Sequence, residues 1–519
     1  MSSRIVIIGA GMGGLTSAAL LAANGYRVTV VDKEAGPGGK ARQLPVGGVN
    51  IDAGPTVFTL RDVFDDIFRA CGQELGDHVS VRPAEVLARH AWSEGERLDL
   101  YADPHRSEEA IGAFAGAQAV RGYRAFRAEA ARIHGILDRS MMRQGKVSWP
   151  GPLMWRIGLW RIGDLIAIRP YESMWKVLGE HFADPRLRQL FGRYATYCGS
   201  SPFATPATLM LVAHVEAQGV WLIDGGMSAL AKALQRLGEA HGARYRFGEA
   251  VDRIETTGGR ASGVILANGE RIAADAVIAN ADPAAITAGQ FGKAVAGSTR
   301  SMPPKTRSLS ALVWLAHART QGFPLSRHSV FFSPDYPREF AELASGRTPS
   351  DPSVYVCAQD RHPGAGAAPG GRERMQIIVN APANADRQTM SPEEKEQCTL
   401  AMKRSLSRCG LELEDPLPHR LLTPTEFEAL SPSTGGAIYG RASHGWAASF
   451  LRQGTRTRIP GLYCAGGSTH PGAGVPMAAL SGQLAARTVM QDLASMRRYH
   501  PAAMPGGMST RPATTDGTG

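Results

Sequence analysis

Three runs in this 519-residue chain predict an α/β fold built around a parallel sheet. The first, Arg4-Ile5-Val6-Ile7-Ile8, is an apolar β-type segment that enters Gly9-Ala10-Gly11-Met12-Gly13-Gly14 and opens an Ala/Leu-rich helix over residues 15–24. The second, Arg27-Val28-Thr29-Val30-Val31, follows Gly25 and ends at Asp32. The third, Asp275-Ala276-Val277-Ile278-Ala279-Asn280-Ala281, has the unbroken apolar character of a strand covered on both faces. Strand, glycine turn, helix, strand and acid in this order make a Rossmann-like dinucleotide-binding unit. Gly9 permits the tight turn, Gly11 lets the backbone approach a pyrophosphate, and Gly14 lets helix and strand pack closely. The phosphates would rest on free N–H groups at the helix N-terminus, where the dipole favours negative charge. Asp32, eighteen residues beyond Gly14, is placed to accept hydrogen bonds from a ribose hydroxyl.

The later elements follow from local pattern. Gly36-Pro37-Gly38-Gly39-Lys40-Ala41-Arg42 arrives where a nicotinamide dehydrogenase would begin another helix, and Val49-Asn50-Ile51-Asp52-Ala53-Gly54-Pro55-Thr56 comes next. Two glycine-rich loops with cations suit an extended cofactor with a distant ring end. Residues 61–217 read as mostly helical, and residues 220–237 as a short strand, a glycine turn and a helix. Residues 244–256 and 263–272 read as a strand pair, with Asn268-Gly269 as a turn. Strands alternate with helices over 309–427, around a Gly/Pro/Ala-rich loop at 362–371. Residues 459–478 read as a strand and a glycine-rich crossing that leads into a helix over about 477–493. The chain beyond Arg497 has the Pro, Gly, Ser and Thr content of a disordered tail.

Composition narrows the function class. Hydrophobic residues at 43% and charged residues at 20% are ordinary for a globular protein. No run approaches the ~18 apolar residues of a spanning helix, and the first apolar run is already a strand rather than a signal peptide. Six cysteines lie far apart with no C-x-x-C pair, which argues against a zinc site or disulfide framework and fits a reducing cytoplasm. No metal site is expected. The net charge of +10 is dispersed and no nucleic-acid motif accompanies it. An anionic membrane surface and plain solubility charge both account for it.

Three blocks carry a family resemblance. They are the N-terminal block; Cys198-Gly199-Ser200-Ser201-Pro202-Phe203 through Trp221-Leu222-Ile223-Asp224-Gly225-Gly226-Met227; and Ile459-Pro460-Gly461-Leu462-Tyr463-Cys464-Ala465-Gly466-Gly467-Ser468-Thr469-His470-Pro471-Gly472-Ala473-Gly474-Val475-Pro476-Met477-Ala478. Together they resemble the amine-oxidase and phytoene-desaturase flavoproteins. The Gly466-Gly467-Ser468-Thr469 and Gly474-Val475-Pro476-Met477 runs, with Tyr439-Gly440-Arg441-Ala442-Ser443-His444-Gly445-Trp446, are most similar to the 1-hydroxycarotenoid 3,4-desaturases, the methoxyneurosporene and hydroxyneurosporene dehydrogenases. The resemblance implies a Rossmann-like FAD-binding domain with an inserted α+β substrate domain. The expected division is a discontinuous cofactor domain (1–95, 218–300 and 430–495), a substrate and membrane-docking domain (96–217 and 301–429) and a tail (496–519).

The implied activity is an FAD-dependent desaturation of acyclic 1-hydroxy- or 1-methoxycarotenoids at C3–C4, in a cytoplasmic enzyme resting peripherally on the inner membrane. The electron acceptor, oxygen or a quinone, stays open. So do a phytoene desaturase, another FAD amine-oxidase-like oxidoreductase and a non-catalytic flavoprotein as alternatives. Carried over residue by residue, Gly9, Gly11 and Gly14 would face the pyrophosphate and Asp32 the ribose. Gly39 and Lys40 would lie near the phosphates, Val251 at the adenine, and Gly467, Val475, Pro476 and Met477 at the ribityl chain and ring. Val251 reads equally well as a plain core strand residue. His470 is the candidate catalytic group, since a neutral imidazole could take the proton lost. Its other reading, a loop anchor, is favoured because motif position fixes geometry and not role. Asp52 reads as structural for the same reason. Within residues 149–175, a helix over 153–169 would align Trp155, Leu159, Ile162 and Ile166 as an uncharged stripe. Arg156, Arg161 and Asp164 would fall elsewhere, which is an interfacial pattern or a core-facing one.

Overall fold

The computed structural model describes residues 2–145, 149–157, 162–361 and 371–499. Its cofactor half is a five-stranded parallel sheet ordered Leu462–Cys464, Ala276–Ala279, Arg4–Ile8, Arg27–Asp32 and Arg244–Phe247. Ile5, Val6, Ile7, Val277 and Ile278 are fully buried, because both faces of this sheet are covered. The helices Met12–Ala23, Met227–Ala240 and Val475–Tyr499 pack with one face of it in one apolar core. The small antiparallel sheet Val251–Thr257, Arg260–Leu266 and Arg271–Ala273 closes the other face.

The second half is a seven-stranded sheet ordered His419–Leu422, Ser310–Ala318, Glu373–Ala381, Val354–Ala358, His328–Phe331, Val86–Ser93 and Glu96–Tyr101. Neighbours run antiparallel except His328–Phe331 and Val86–Ser93, which run parallel. The helices Pro104–Leu137, Met174–His181, Pro185–Gly192 and Leu211–Ala217 contribute to a core on one side of it. Pro392–Ser407 packs on the other.

Several expected boundaries move. The hairpin Val86–Tyr101 pairs into the seven-stranded sheet, so a division at residue 95 would cut through it, and residues 61–217 are not helical throughout. The run 244–256 breaks at Gly248, whose φ of 73° turns the chain out of the parallel sheet. Its second part pairs with Arg260–Leu266 across Gly258-Gly259, while Asn268-Gly269 turns into Arg271–Ala273. The last helix continues to Tyr499, past the expected start of the tail, and residues 500–519 lie outside the described residues. The expected helix over 153–169 comes as Pro150–Ile157 and Ile162–Ala167. Leu159 and Arg161 of the stripe region, and the side chains of Ile162 and Ile166, lie outside the described residues.

Candidate cofactor and substrate site

One cavity of about 1200 Å³ joins the two halves. That exceeds the roughly 300–1,000 Å³ of an ordinary small-molecule pocket. Gly9, Gly11, Asp32, Gly39, Lys40, Val251, Gly467, Val475, Pro476 and Met477 all line it, so the expected cofactor residues converge on one space. Gly14 stands behind them. Its Cβ would fall 2.1 Å from the Gly9 carbonyl oxygen, so only glycine lets the helix start this close to the strand. Gly11 is the N-cap of Met12–Ala23, and its partner across an isolated bridge is Gly38, which donates its N–H to the Ala10 carbonyl at 2.8 Å. The second glycine loop is thereby fastened over the first.

The polar groups around this cradle are spare in the way a dinucleotide requires. Asp32 accepts N–H groups from Ala10 at 2.6 Å and Glu34 at 2.8 Å, one per oxygen, which leaves each oxygen acceptor capacity. Burial pushes its pKa up, and those two N–H groups pull against the shift. Lys40 donates to the Ile438 carbonyl at 2.7 Å; burial pushes its pKa down and Asp282 opposes. Asn280 lines the cavity, and its Oδ1 is buried with no partner among the described residues. Space beside Gly467 is open. Free acceptors, an open glycine edge and a helix N-terminus fit an adenine dinucleotide.

Two neighbouring groups, Asp52 and His470, hold hydrogen bonds to the backbone. Asp52 accepts the Met227 N–H at 2.8 Å and so anchors the start of Met227–Ala240. His470 is 2% exposed and is not among the cavity-lining residues. Its Nε2 meets the carbonyls of Met141 at 3.1 Å and Gln144 at 2.9 Å; both accept, so Nε2 carries the proton and donates. These bonds tie the glycine-rich crossing to the segment after the long helix.

Asn280 and Arg452 went unremarked in the sequence. Asn280 follows a buried parallel strand at its carboxyl end, where α/β sheets hold ligands, and that position was a legible signal. Arg452 is buried and donates to the carbonyls of Tyr439 at 3.0 Å, Arg441 at 2.6 Å and Gly467 at 3.3 Å, which shapes the Gly467 edge. No local pattern announces it.

The cavity then runs between Leu137, Met141, Leu153, Ile168, Leu209, Val212, Val330 and Phe332. It reaches Met154, Tyr171 and Trp446, which line it and are also exposed, so they mark its mouth. Tyr171 and Trp446 sit with ring centroids 5.9 Å apart, and Trp149 and Trp155 lie exposed on the adjacent segment. Among the described residues no helix is long and apolar enough to cross a membrane.

Comparisons with known proteins agree with this geometry. The chain is 49% identical to hydroxyneurosporene desaturase of Rubrivivax gelatinosus over 99% of its length and 98% of the relative. It is 45% identical to hydroxyneurosporene desaturase of Cereibacter sphaeroides, over 95% and 99%. A triple mutant of putrescine oxidase shares the fold with a TM-score of 0.58 at 16% identity, over 94% of this chain and 99% of that one. The family model for flavin containing amine oxidoreductases matches residues 12–490. A glycine cradle at the end of a parallel sheet, joined to a large apolar cavity, fits a flavin protein, and the chain belongs to the flavin containing amine oxidoreductases.

Proposed function

We propose that this chain is an FAD-dependent desaturase of carotenoid biosynthesis that forms the C3–C4 double bond of acyclic carotenoids with a 1-hydroxy or 1-methoxy end. The continuity of the cavity carries the reading: one space holds the dinucleotide residues at one end and opens through an aromatic mouth at the other. Its walls suit a long apolar polyene, and the relatives named hydroxyneurosporene desaturase support the end group.

Bound at the cradle, the FAD would supply the two-electron acceptor for the reaction. Gly9, Gly11 and the Met12–Ala23 N-terminus would receive the pyrophosphate, Asp32 the ribose hydroxyls, and Gly467 with Val475, Pro476 and Met477 the ring end. The apolar walls exclude water and hold the reacting bond in place. The substrate would give up two hydrogens from neighbouring carbons, one with its electron pair to the bound FAD and one as a proton passed on to water at the cavity mouth, and the C=C bond would form between those carbons. Positive charge beside a conjugated chain spreads along it, so a strong side-chain base is not needed. Because a carotenoid is almost insoluble in water, the mouth would rest on the inner membrane from the cytoplasmic side, with oxygen or a quinone taking the electrons onward.

The test is incubation of the purified holoprotein with liposomal 1-hydroxyneurosporene. The expected product has two hydrogens fewer and a red-shifted spectrum. Conversion of phytoene without any reaction of the hydroxylated carotenoid would overturn the assignment.

A further inference from the structure

An apolar cavity wall is a costly place for ions, yet this one contains a charged cluster. Arg193 is 6% exposed, Glu216 is 2% exposed, and both line the cavity with Tyr197. Tyr194 and Tyr197 donate to the two Glu216 oxygens at 2.5 and 2.6 Å. Arg193 donates to the Tyr197 hydroxyl at 2.8 Å and to His90 Nε2 at 3.3 Å, and stands 3.9 Å from Glu216. His90 Nδ1 donates to the Leu98 carbonyl at 3.2 Å, which leaves Nε2 as the acceptor for Arg193. Burying such a pair in place of well-packed apolar side chains commonly gains no stability.

The cluster also has capacity to spare. A carboxylate offers about four acceptor sites and a guanidinium five N–H donors. Glu216 takes one donor on each oxygen, and Arg193 Nε is buried with no partner among the described residues. The cluster lies where the two halves adjoin. Tyr197, Val57 and Tyr355 pack against one apolar core, and Tyr355 donates to Thr56 at 2.8 Å. Thr56 closes the turn in which Gly54 packs on Lys40, and Thr56 and Tyr355 line the same cavity.

We propose that Arg193, Tyr197 and Glu216 form an end-group subsite that binds the hydroxyl of the polyene terminus. A hydroxyl must donate once and accept once: Glu216 receives its proton, Arg193 donates to its oxygen, and Tyr197 holds the two in register. An ether oxygen accepts only, and a hydrocarbon end does neither, so the subsite ranks hydroxy above methoxy above unsubstituted ends. The inference rests on the proposed 3,4-desaturation. In that chemistry only C2 separates the oxygen-bearing carbon from the reacting bond, so the reading group has to face the same cavity as the ring-end residues, as Arg193, Tyr197 and Glu216 do.

The experiment measures kcat/KM of the holoprotein for 1-hydroxyneurosporene and for neurosporene, in wild type, Glu216→Gln, Arg193→Lys and Tyr197→Phe. The ratio should favour the hydroxylated polyene and fall about 10- to 100-fold in the variants, mainly through KM, as expected for one charge-assisted hydrogen bond. Flavin content and melting temperature identify any variant that fails to fold. Tyr197→Phe removes a single oxygen and decides the matter where the charged variants do not fold. A ratio that stays intact in folded Tyr197→Phe, or an equal fall for both substrates, overturns the subsite. If wild type converts neither substrate, the functional reading fails by itself. Equilibrium titration of both carotenoids into the holoprotein, followed by their absorption shift, then tests the subsite directly. Selective weakening of the hydroxylated ligand supports it, and equal binding of the two overturns it.

Discussion

At Gly11 an added Cβ would meet only the side-chain amide of Asn280, at 2.7 Å, whereas at Gly14 it would strike the Gly9 backbone. The two glycines therefore fail differently. Gly11 has an ordinary φ of −74°, so Gly11→Val should fold and melt near wild type while losing its flavin absorbance. Gly14→Val should lower the melting temperature itself, by the ~1–3 kcal/mol of an overpacked contact or more. Glu339 gives a pH signature. It is buried, accepts from Ser353 at 2.7 Å, and burial pushes its pKa up to about 7. A carboxyl raised in the folded state binds more protons there than in the unfolded chain, so stability should fall as pH rises from about 4.5 to 7 and then level off. In denaturant titrations Glu339→Gln should flatten that slope and gain up to ~3 kcal/mol at pH 8. At this scale the sequence was legible where geometry is local. Gly9, Gly11, Gly14 and Asp32 sit within one supersecondary unit whose spacing brings them together at the carboxyl end of the first strand. Arg193, Glu216 and Arg452 meet partners on neighbouring loops and helices that no local spacing pattern links.

Among the elements, the Pro150–Ile157 helix makes the sharpest prediction. Trp155 is 72% exposed beside the mouth while Leu153 is buried, so the helix presents one face to solvent and one to the protein. Replacing Trp149 and Trp155 with Ser should weaken sedimentation with anionic liposomes about tenfold, the worth of burying part of two aromatics at ~25 cal/mol per Å². Flavin content should be untouched, and binding by both proteins should weaken with salt as the +10 charge is screened. Loss of flavin in the double variant would make the segment core rather than interface. The Rossmann-like strands and the Met12–Ala23 helix were legible because each is continuous and strongly patterned. The run at 244–256 was not, since a single glycine decides that one half joins the parallel sheet and the other an antiparallel one. The Val86–Tyr101 hairpin was missed because its membership in a sheet is settled by His328–Phe331, far downstream.

Across the whole molecule, a sheet whose edge strand is Leu462–Cys464 holds Arg4–Ile8 together with an element far downstream in the chain. Chains ending before Leu462 should bind no flavin, even though the whole fingerprint from Arg4 to Asp32 is present, and absorbance of purified truncations checks this. The same arrangement has a consequence in time. The dinucleotide motif leaves the ribosome long before the strand Leu462–Cys464 and the helix Val475–Tyr499 that complete its cradle. Until then the nascent chain carries an open apolar sheet, and such intermediates invite aggregation or chaperone capture. Supply of the cofactor after Val475–Tyr499 has emerged, rather than before, should govern how much of this protein reaches its working form.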